Sequence, residues 1–157
     1  MMKKVLIIVG IILLALIIVI AVKYIDNNTN IGRPTATIND QSFNLYVAKT
    51  PKDKEIGLSK YESLPENYGM LFPFDKAAIH SFWMKNMKFP IDIIFIKDRT
   101  IVTIHKNVPN PSVQNTSLPI YMPKTPAKLV LEINAGLSEK YNFQEGDTVI
   151  IKNLKGL

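Results

Sequence analysis

Hydrophobic residues form one long unbroken run near the N-terminus of this chain. From residue 5 to residue 22 the sequence is apolar, with one glycine and no charged residue. A helix of this length spans about 27 Å, which is close to the hydrocarbon thickness of a bilayer. The pattern therefore predicts a transmembrane helix over residues 5–22, within an N-terminal anchor at residues 1–25.

Basic residues flank the apolar run and predict its orientation. Lys3 and Lys4 precede it and Lys23 follows it, which favours a cytoplasmic N-terminus. The expected location is the cell membrane, as a single-pass protein with an extracytoplasmic C-terminal domain. A cleavable signal peptide with Val19-Ile20-Ala21 at its cleavage site is the alternative, although the apolar region of such peptides is shorter, about 7–15 residues.

After a polar linker at residues 26–34, apolar and polar residues alternate in short stretches typical of β-strands. The alternation predicts strands at residues 43–48, 70–74, 79–84, 91–97, 100–106, 128–134 and 148–152. Thr50 followed by Pro51 is typical of a helix start and predicts a short helix at residues 52–61. These elements predict a small antiparallel β-sandwich or jelly-roll-like barrel with one or two short helices, formed by residues 35–157.

A proline-rich stretch separates two of the predicted strands. Residues 108–126 contain five prolines, and proline cannot donate to the hydrogen-bond ladder of a central strand. The stretch therefore predicts a long surface loop. Loops of this length in a compact domain are often functional.

Charge and cysteine content narrow the classes of function. The chain has 19 basic and 13 acidic residues, and without the three lysines that flank the apolar run the balance is 16 to 13. The basic residues are scattered, whereas nucleic-acid binding requires a clustered basic face, so we expect no nucleic-acid partner. The chain has no cysteine, which excludes disulfides, thiol catalysis and thiolate metal sites.

Several motifs occur in an order that matches a known family. They are GMLF at residues 69–72, FWMKN at 82–86, PIDIIFI at 90–96 and VLEINAG at 130–136. In these motifs, from about Phe43 to about Lys152, the chain resembles the domain-of-unknown-function family 192. It departs from the family at Ser59, where methionine is common, and at Met87, where threonine is frequent. The resemblance implies a compact, mostly β fold of sandwich or jelly-roll type, often exported or membrane-anchored, and implies no activity.

Three polar residues lie among large apolar ones near the middle of the chain. Lys85 and Asn86 end an aromatic strand, and Asp92 begins the next strand after Pro90. The proline bend would bring Asp92 near the Lys-Asn pair, which predicts a polar lip of a binding pocket. The favoured alternative is structural, because Asn and Asp at strand ends commonly bond to neighbouring backbone amides.

Trp83 is the single tryptophan of the chain. Strand alternation places Phe82 and Met84 on one face and Trp83 with Lys85 on the other. An indole beside a lysine could stack on a sugar ring or another flat ligand, although burial in the core is the favoured interpretation for so large a side chain. Tyr121, in the proline-rich loop, is expected at the rim of the same site.

Glu132 and Asn134 share one face of a predicted strand. If Glu132 lies near Asp92, the two acids could form a catalytic carboxylate pair of the kind used in glycoside hydrolysis. A strand glutamate more often faces solvent or pairs with a nearby lysine such as Lys128. We therefore keep the carboxylate pair as an alternative.

Imidazole and thioether side chains also occur near the aromatic strand. His80, Met84 and Met87 offer ligands that suit Cu(I). Methionine is also a common core filler, and strand geometry gives these residues no metal-binding register. We therefore predict no cofactor and no metal site, with Cu(I) at these three residues as the alternative.

The favoured function is a ligand-binding or accessory module of the cell envelope, held to the membrane by residues 5–22. Its partner would be an unidentified small molecule or protein. Two alternatives remain open, an envelope hydrolase that uses Asp92 and Glu132 and a protein-interaction scaffold. The candidate site consists of Trp83, Lys85, Asn86, Asp92, Tyr121, Glu132 and Asn134.

Overall fold

A computed structural model of the chain describes residues 12–21, 32–112 and 118–154. The chain divides between Gly32 and Arg33 into two units, which we describe separately. In the first, residues 12–21 are helical (α1). Among the described residues, no helix has both the length and the apolar character that crossing a bilayer requires. The remainder of the anchor predicted at residues 5–22, and most of the linker predicted at 26–34, lie outside the described residues.

The second unit is mainly β with short helices, as the sequence predicts. Its strands and helices are, in chain order, β1 (Thr35–Ile38), β2 (Gln41–Val47), α2 (Pro51–Ile56), β3 (Tyr68–Ala78), β4 (Phe82–Trp83), β5 (Ile91–Lys97), β6 (Thr100–Val108), β7 (Ile120–Tyr121), β8 (Ala127–Asn134), α3 (Leu137–Lys140) and β9 (Val149–Lys152). A 3₁₀ turn, Gly57–Lys60, follows α2. The alternation of apolar and polar residues predicted neither β1 nor β7, and β7 lies within the predicted loop at residues 108–126. Of the strand predicted at residues 79–84, only β4 forms.

Within the described residues, seven strands form one sheet in the order β6-β5-β8-β3-β2-β1-β9, and β4 pairs with β7 in a separate two-stranded ribbon. The β2–β3 pair is parallel, which corrects the prediction of an entirely antiparallel structure. A parallel pair needs a crossover connection, usually a helix. Here α2 and the 3₁₀ turn provide it, because they lie between β2 and β3 in the chain.

The large sheet curls until its two edge strands meet at one end. The amide of Val149 donates to the carbonyl of Arg99 at 2.8 Å, and the amide of Ile101 donates to the carbonyl of Asp147 at 2.9 Å. The edge strands β6 and β9 are thereby joined near their first residues. The result is a half-barrel made from one sheet, where the sequence had predicted a sandwich or jelly-roll-like barrel.

The sheet has an apolar core on each face. One face carries Leu71, Leu131 and Ile133, which pack in a cluster with Phe43 and Phe143. The opposite face carries a second cluster that includes Met70, Phe72, Ile93, Phe95 and Val130, together with Leu58 from the 3₁₀ turn and Met84 after β4. Successive strand residues point to opposite faces of the sheet. Since both faces are covered, β5 and β8 are apolar at consecutive positions. The candidate site lies on the second face.

Candidate functional site

Glu132 is a buried acid on the central strand β8. Its cross-strand neighbours are Met70 on β3 and Ile93 on β5, and only 5% of the residue is exposed. Within the part of the chain that the structure describes, no side chain or amide forms a hydrogen bond or ion pair with its carboxyl. The predicted positions in solvent or beside Lys128 are therefore wrong, because this face of the sheet is covered.

Burial changes the protonation of this acid. Loss of hydration disfavours the charged form and raises the pKa of Glu132 from 4.5 to about 8. The carboxyl is therefore mostly neutral at pH 7, and a neutral carboxyl can donate one hydrogen bond as well as accept others.

A cavity of about 270 Å³ opens above Glu132. Its walls are mainly apolar and aromatic, and two lysines lie among the lining residues. The lining includes Phe72, Phe74, Phe82, Trp83, Lys54, Lys85 and Glu132. Apolar cavities with a few convergent polar groups are the usual form of small-molecule sites.

Helix α2 brings Lys54 to the cavity. The helix begins with a capping box, in which the Thr50 hydroxyl accepts from the Asp53 amide at 3.1 Å and the Asp53 carboxylate accepts from the Thr50 amide at 3.1 Å. The hydrogen bond from the Thr50 hydroxyl also lowers the pKa of Asp53. One residue further on, Lys54 places its Nζ 4.4 Å from the ring centroid of Phe74. The residue pattern predicted the cap at Thr50 but not the position of this lysine at a cavity.

Strand β4 supplies the aromatic wall. Phe82 points into the core, edge-on to Phe72 and Phe95 with ring centroids 5.1 and 5.7 Å apart. Alternation therefore turns Trp83 outward, where 47% of it is exposed, and the Nζ of Lys85 lies 5.3 Å from its ring centroid. The predicted division of faces is confirmed, and the interpretation of Trp83 as a core residue is wrong.

Three of the seven predicted site residues, Trp83, Lys85 and Glu132, line one cavity. Lys54, Phe72, Phe74 and Phe82 also line the cavity and were not predicted as site residues. Lys54 lies on α2 and Phe72 and Phe74 lie on β3, far from β4 along the chain, whereas Phe82 adjoins Trp83. Aromatic residues are frequent between positions 72 and 83, but their frequency does not show that they line one cavity.

Asp92 belongs to the framework of the fold. It is fully buried and accepts hydrogen bonds from the amides of Asn107 at 2.7 Å, Gly136 at 3.2 Å and Ser138 at 2.8 Å. It thus ties β5 to the end of β6 and to the start of α3. This is the structural role described above, and the predicted placement of Asp92 beside Lys85 is wrong.

The predicted Asp92–Glu132 carboxylate pair does not form. On the continuous β5–β8 ladder, Asp92 lies opposite Ile133 and Ile93 lies opposite Glu132. Neighbouring positions of a strand point to opposite faces of the sheet. The two carboxyl groups are therefore on opposite sides of the sheet and cannot act on one bond.

The other predicted residues also have local structural contacts. Asn86 has φ 58°, a left-handed conformation that asparagine tolerates in turns. The Nδ2 of Asn134 donates to the carbonyl of Leu64 at 2.8 Å. Tyr121 pairs with Phe82 across the ribbon, and its ring contacts His105 with centroids 5.4 Å apart. Asn86, Asn134 and Tyr121 do not line the cavity above Glu132.

The residues suggested for Cu(I) are in different environments. Met84 and Met87 are buried in the second core, whereas the ring of His80 stacks on Phe74. No group of three His, Cys, Asp or Glu side chains suited to a metal ion occurs among the described residues. The absence of a cofactor stays a prediction, and Cu(I) at these three residues stays the alternative to it.

Comparison with known proteins gives the family and the fold. The family model DUF192, described as "Uncharacterized ACR", matches residues 34–151. A comparison with curated proteins gives no match. A protein of unknown function from Novosphingobium aromaticivorans DSM 12444 is 28% identical, with a TM-score of 0.67 over 74% of this chain and 83% of that one. A putative transcription regulator from Sinorhizobium meliloti 1021 is 30% identical, with a TM-score of 0.68 over 78% of this chain and 94% of that one.

Proposed function

This chain belongs to the DUF192 family, and we propose that its β domain is a small-molecule binding module held at the outer face of the cell membrane. The observation that carries the proposal is Glu132, a buried carboxyl without a hydrogen-bond partner among the described residues, at the lining of a cavity. A ligand that forms hydrogen bonds with this carboxyl would complete the site.

The energetics of burial support a ligand at this position. Partial removal of the Glu132 carboxyl from water has a cost, which is expressed in its raised pKa, and the neighbours Met70 and Ile93 offer it no hydrogen-bond partner. A bound molecule that accepts from Glu132 would offset that cost. The cavity volume of about 270 Å³ is just below the usual range of about 300–1,000 Å³ for ligand pockets, which favours a ligand with a single ring.

The N-terminal sequence supports the membrane part of the proposal. The apolar run at residues 5–22 is long enough for one membrane crossing, and Lys3 and Lys4 precede it. A linker at residues 26–34 would then join the membrane segment to the binding domain. The ligand would be met outside the cytoplasm.

The single tryptophan offers a direct test. Because Trp83 lines the cavity, a bound molecule should change its fluorescence and raise the melting temperature of the full chain. A panel of sugars, nucleotides, small acids and metal ions would be screened against wild type and Glu132→Leu. We expect a ligand whose effect disappears in Glu132→Leu and persists in Lys128→Gln, an exposed lysine on the same strand. No response across the panel, or the same response in both variants, would contradict the proposal.

A protein-interaction role is the second candidate. It is favoured by exposed apolar side chains on the ribbon, since Ile120 is 51% exposed and pairs with Trp83 across the two strands. Substitution of Ile120 by serine would weaken a protein partner and leave small-molecule binding unchanged. The two candidates therefore make opposite predictions for Ile120→Ser and Glu132→Leu.

A further inference from the structure

We infer that the cavity above Glu132 takes small organic anions with a flat apolar body. In this arrangement the anionic group is held at the rim by Lys54 and Lys85, the body lies against the aromatic wall, and an acceptor atom reaches Glu132. The inference rests on the proposed binding function and names the class of ligand.

The rim has a net positive charge, because its two lysines outnumber one glutamate. The charged side chains that line the cavity, apart from Glu132, are Lys54, Lys85 and Glu55. The described ion pairs do not use either of these lysines. Their ammonium groups lie instead over the rings of Phe74 and Trp83, where each keeps N–H donors available. A carboxylate at this rim would gain charge-assisted hydrogen bonds from these ammonium groups.

The walls select a flat apolar body. Phe72, Phe74 and Phe82 are arranged edge to face, with the Phe72–Phe82 and Phe74–Phe82 centroids 5.1 and 6.4 Å apart. Trp83 adds a half-exposed indole at the entrance. Aromatic rings favour stacked or edge-on contacts with another ring, and the cavity volume limits the ligand to about one ring.

Glu132 favours an acceptor and disfavours a cation. In its neutral form the carboxyl donates a hydrogen bond to a carbonyl, ether or hydroxyl oxygen. An organic ammonium would form an ion pair only with the charged form, which burial disfavours at this position. It would also lie close to two lysines of the same sign. Glu132 and the two lysines at the rim therefore both disfavour a cationic ligand.

Three probes that share one ring test this inference. Benzoate, benzyl alcohol and benzylammonium, each carrying a para-hydroxyl group as the acceptor for Glu132, would be titrated into the full chain by calorimetry, which does not depend on the surroundings of Trp83. We expect benzoate to bind about tenfold or more tightly than benzyl alcohol, since hydrogen bonds to charged groups are the stronger ones. Benzylammonium should bind most weakly.

Matched variants separate the rim from the rest of the site. Lys85→Gln should weaken benzoate about tenfold and leave benzyl alcohol unchanged, while Lys128→Gln should change neither. Added salt should weaken benzoate alone. Benzylammonium binding as tightly as benzoate, or a benzoate affinity unaffected by Lys85→Gln, would overturn the inference.

Failure of the inference can be told apart from failure of the proposed function. If none of the three probes binds but another member of the panel acts through Glu132, the anion class is wrong and the binding function stands. If no probe and no panel member acts through Glu132, both are wrong.

Discussion

The buried carboxyl of Glu132 should make the stability of the domain depend on pH in an unusual direction. Its pKa is about 8 in the folded protein, against 4.5 for an ordinary glutamate. At about 1.4 kcal/mol for each pH unit, this difference corresponds to about 5 kcal/mol of folding free energy. Below pH 4.5 the acid is neutral in both states, so the full stability is present. As the pH rises, the unfolded chain loses its proton first, and stability is lost until the pH passes 8.

Glu132→Gln removes this titration and keeps the shape of the side chain. Urea unfolding of the full chain, followed by Trp83 fluorescence, would be measured between about pH 5 and pH 8 for both proteins. Relative to the variant, we expect the free energy of unfolding of wild type to fall by about 3–4 kcal/mol across this interval. Glutamine is neutral in both states, so the difference between the proteins cancels the contribution of every other titrating group.

Two other acids with shifted pKa values affect the stability mainly below about pH 5 and in the opposite direction. Hydrogen bonds lower the pKa of Asp53, through Thr50, and of Glu66, through Lys140. The stability that these two acids contribute is present above their unfolded pKa values and is lost as the pH falls. The charged groups that share the cavity with Glu132 are Lys54, Glu55 and Lys85.

If the free energy of unfolding changes with pH in the same way for wild type and Glu132→Gln, the acid is not buried in its neutral form and the reasoning is refuted.

Three further substitutions test the framework around the site. Gly69→Ala would place a Cβ 2.9 Å from the backbone oxygen of Glu132, and such overpacking should destabilise by about 1–3 kcal/mol; an unchanged urea midpoint would contradict this. Asp92→Asn presents an NH₂ group in place of one acceptor oxygen and should leave an amide such as that of Ser138 unpaired, at about 1–3 kcal/mol without loss of ligand affinity. Thr50→Ala removes the cap of α2 and should destabilise by about 1 kcal/mol, which the same unfolding assay measures.

Local signals predicted much of the fold. Thr50 followed by Pro51 correctly located the start of α2. The strands predicted at residues 91–97 and 100–106 leave two residues between them, and these form the turn that joins β5 to β6. Asp98 and Arg99 both have positive φ values, 47° and 67°, which a two-residue hairpin turn requires. The half-barrel could not be predicted in this way. It depends on the β6–β9 contact and the parallel β2–β3 pair, which join residues far apart in sequence.

The two buried acids show why the site was only partly predicted. Alternation divides the residues of a strand between two faces. In β5 and β8 both faces are covered, so alternation cannot show which residues face solvent. Asp92 and Glu132 both interrupt apolar runs, and their neighbours in sequence are equally hydrophobic. Only the register of β5 against β8 and the position of α3 show that Asp92 meets three amides and Glu132 meets a cavity.

The position of Glu132 is itself an argument for function. Between Met70 and Ile93 on the central strand, an apolar residue would pack without a desolvation cost. The buried acid instead lowers stability at neutral pH, by about 3 kcal/mol from its pKa shift, and no described residue compensates it. Local features that conflict with stability are expected mainly at functional sites. Asp92 is the contrasting case, since it is equally buried but bonded to the backbone. The contrast supports the proposal that Glu132 serves ligand binding, whereas the hydrogen bonds of Asp92 hold the fold together.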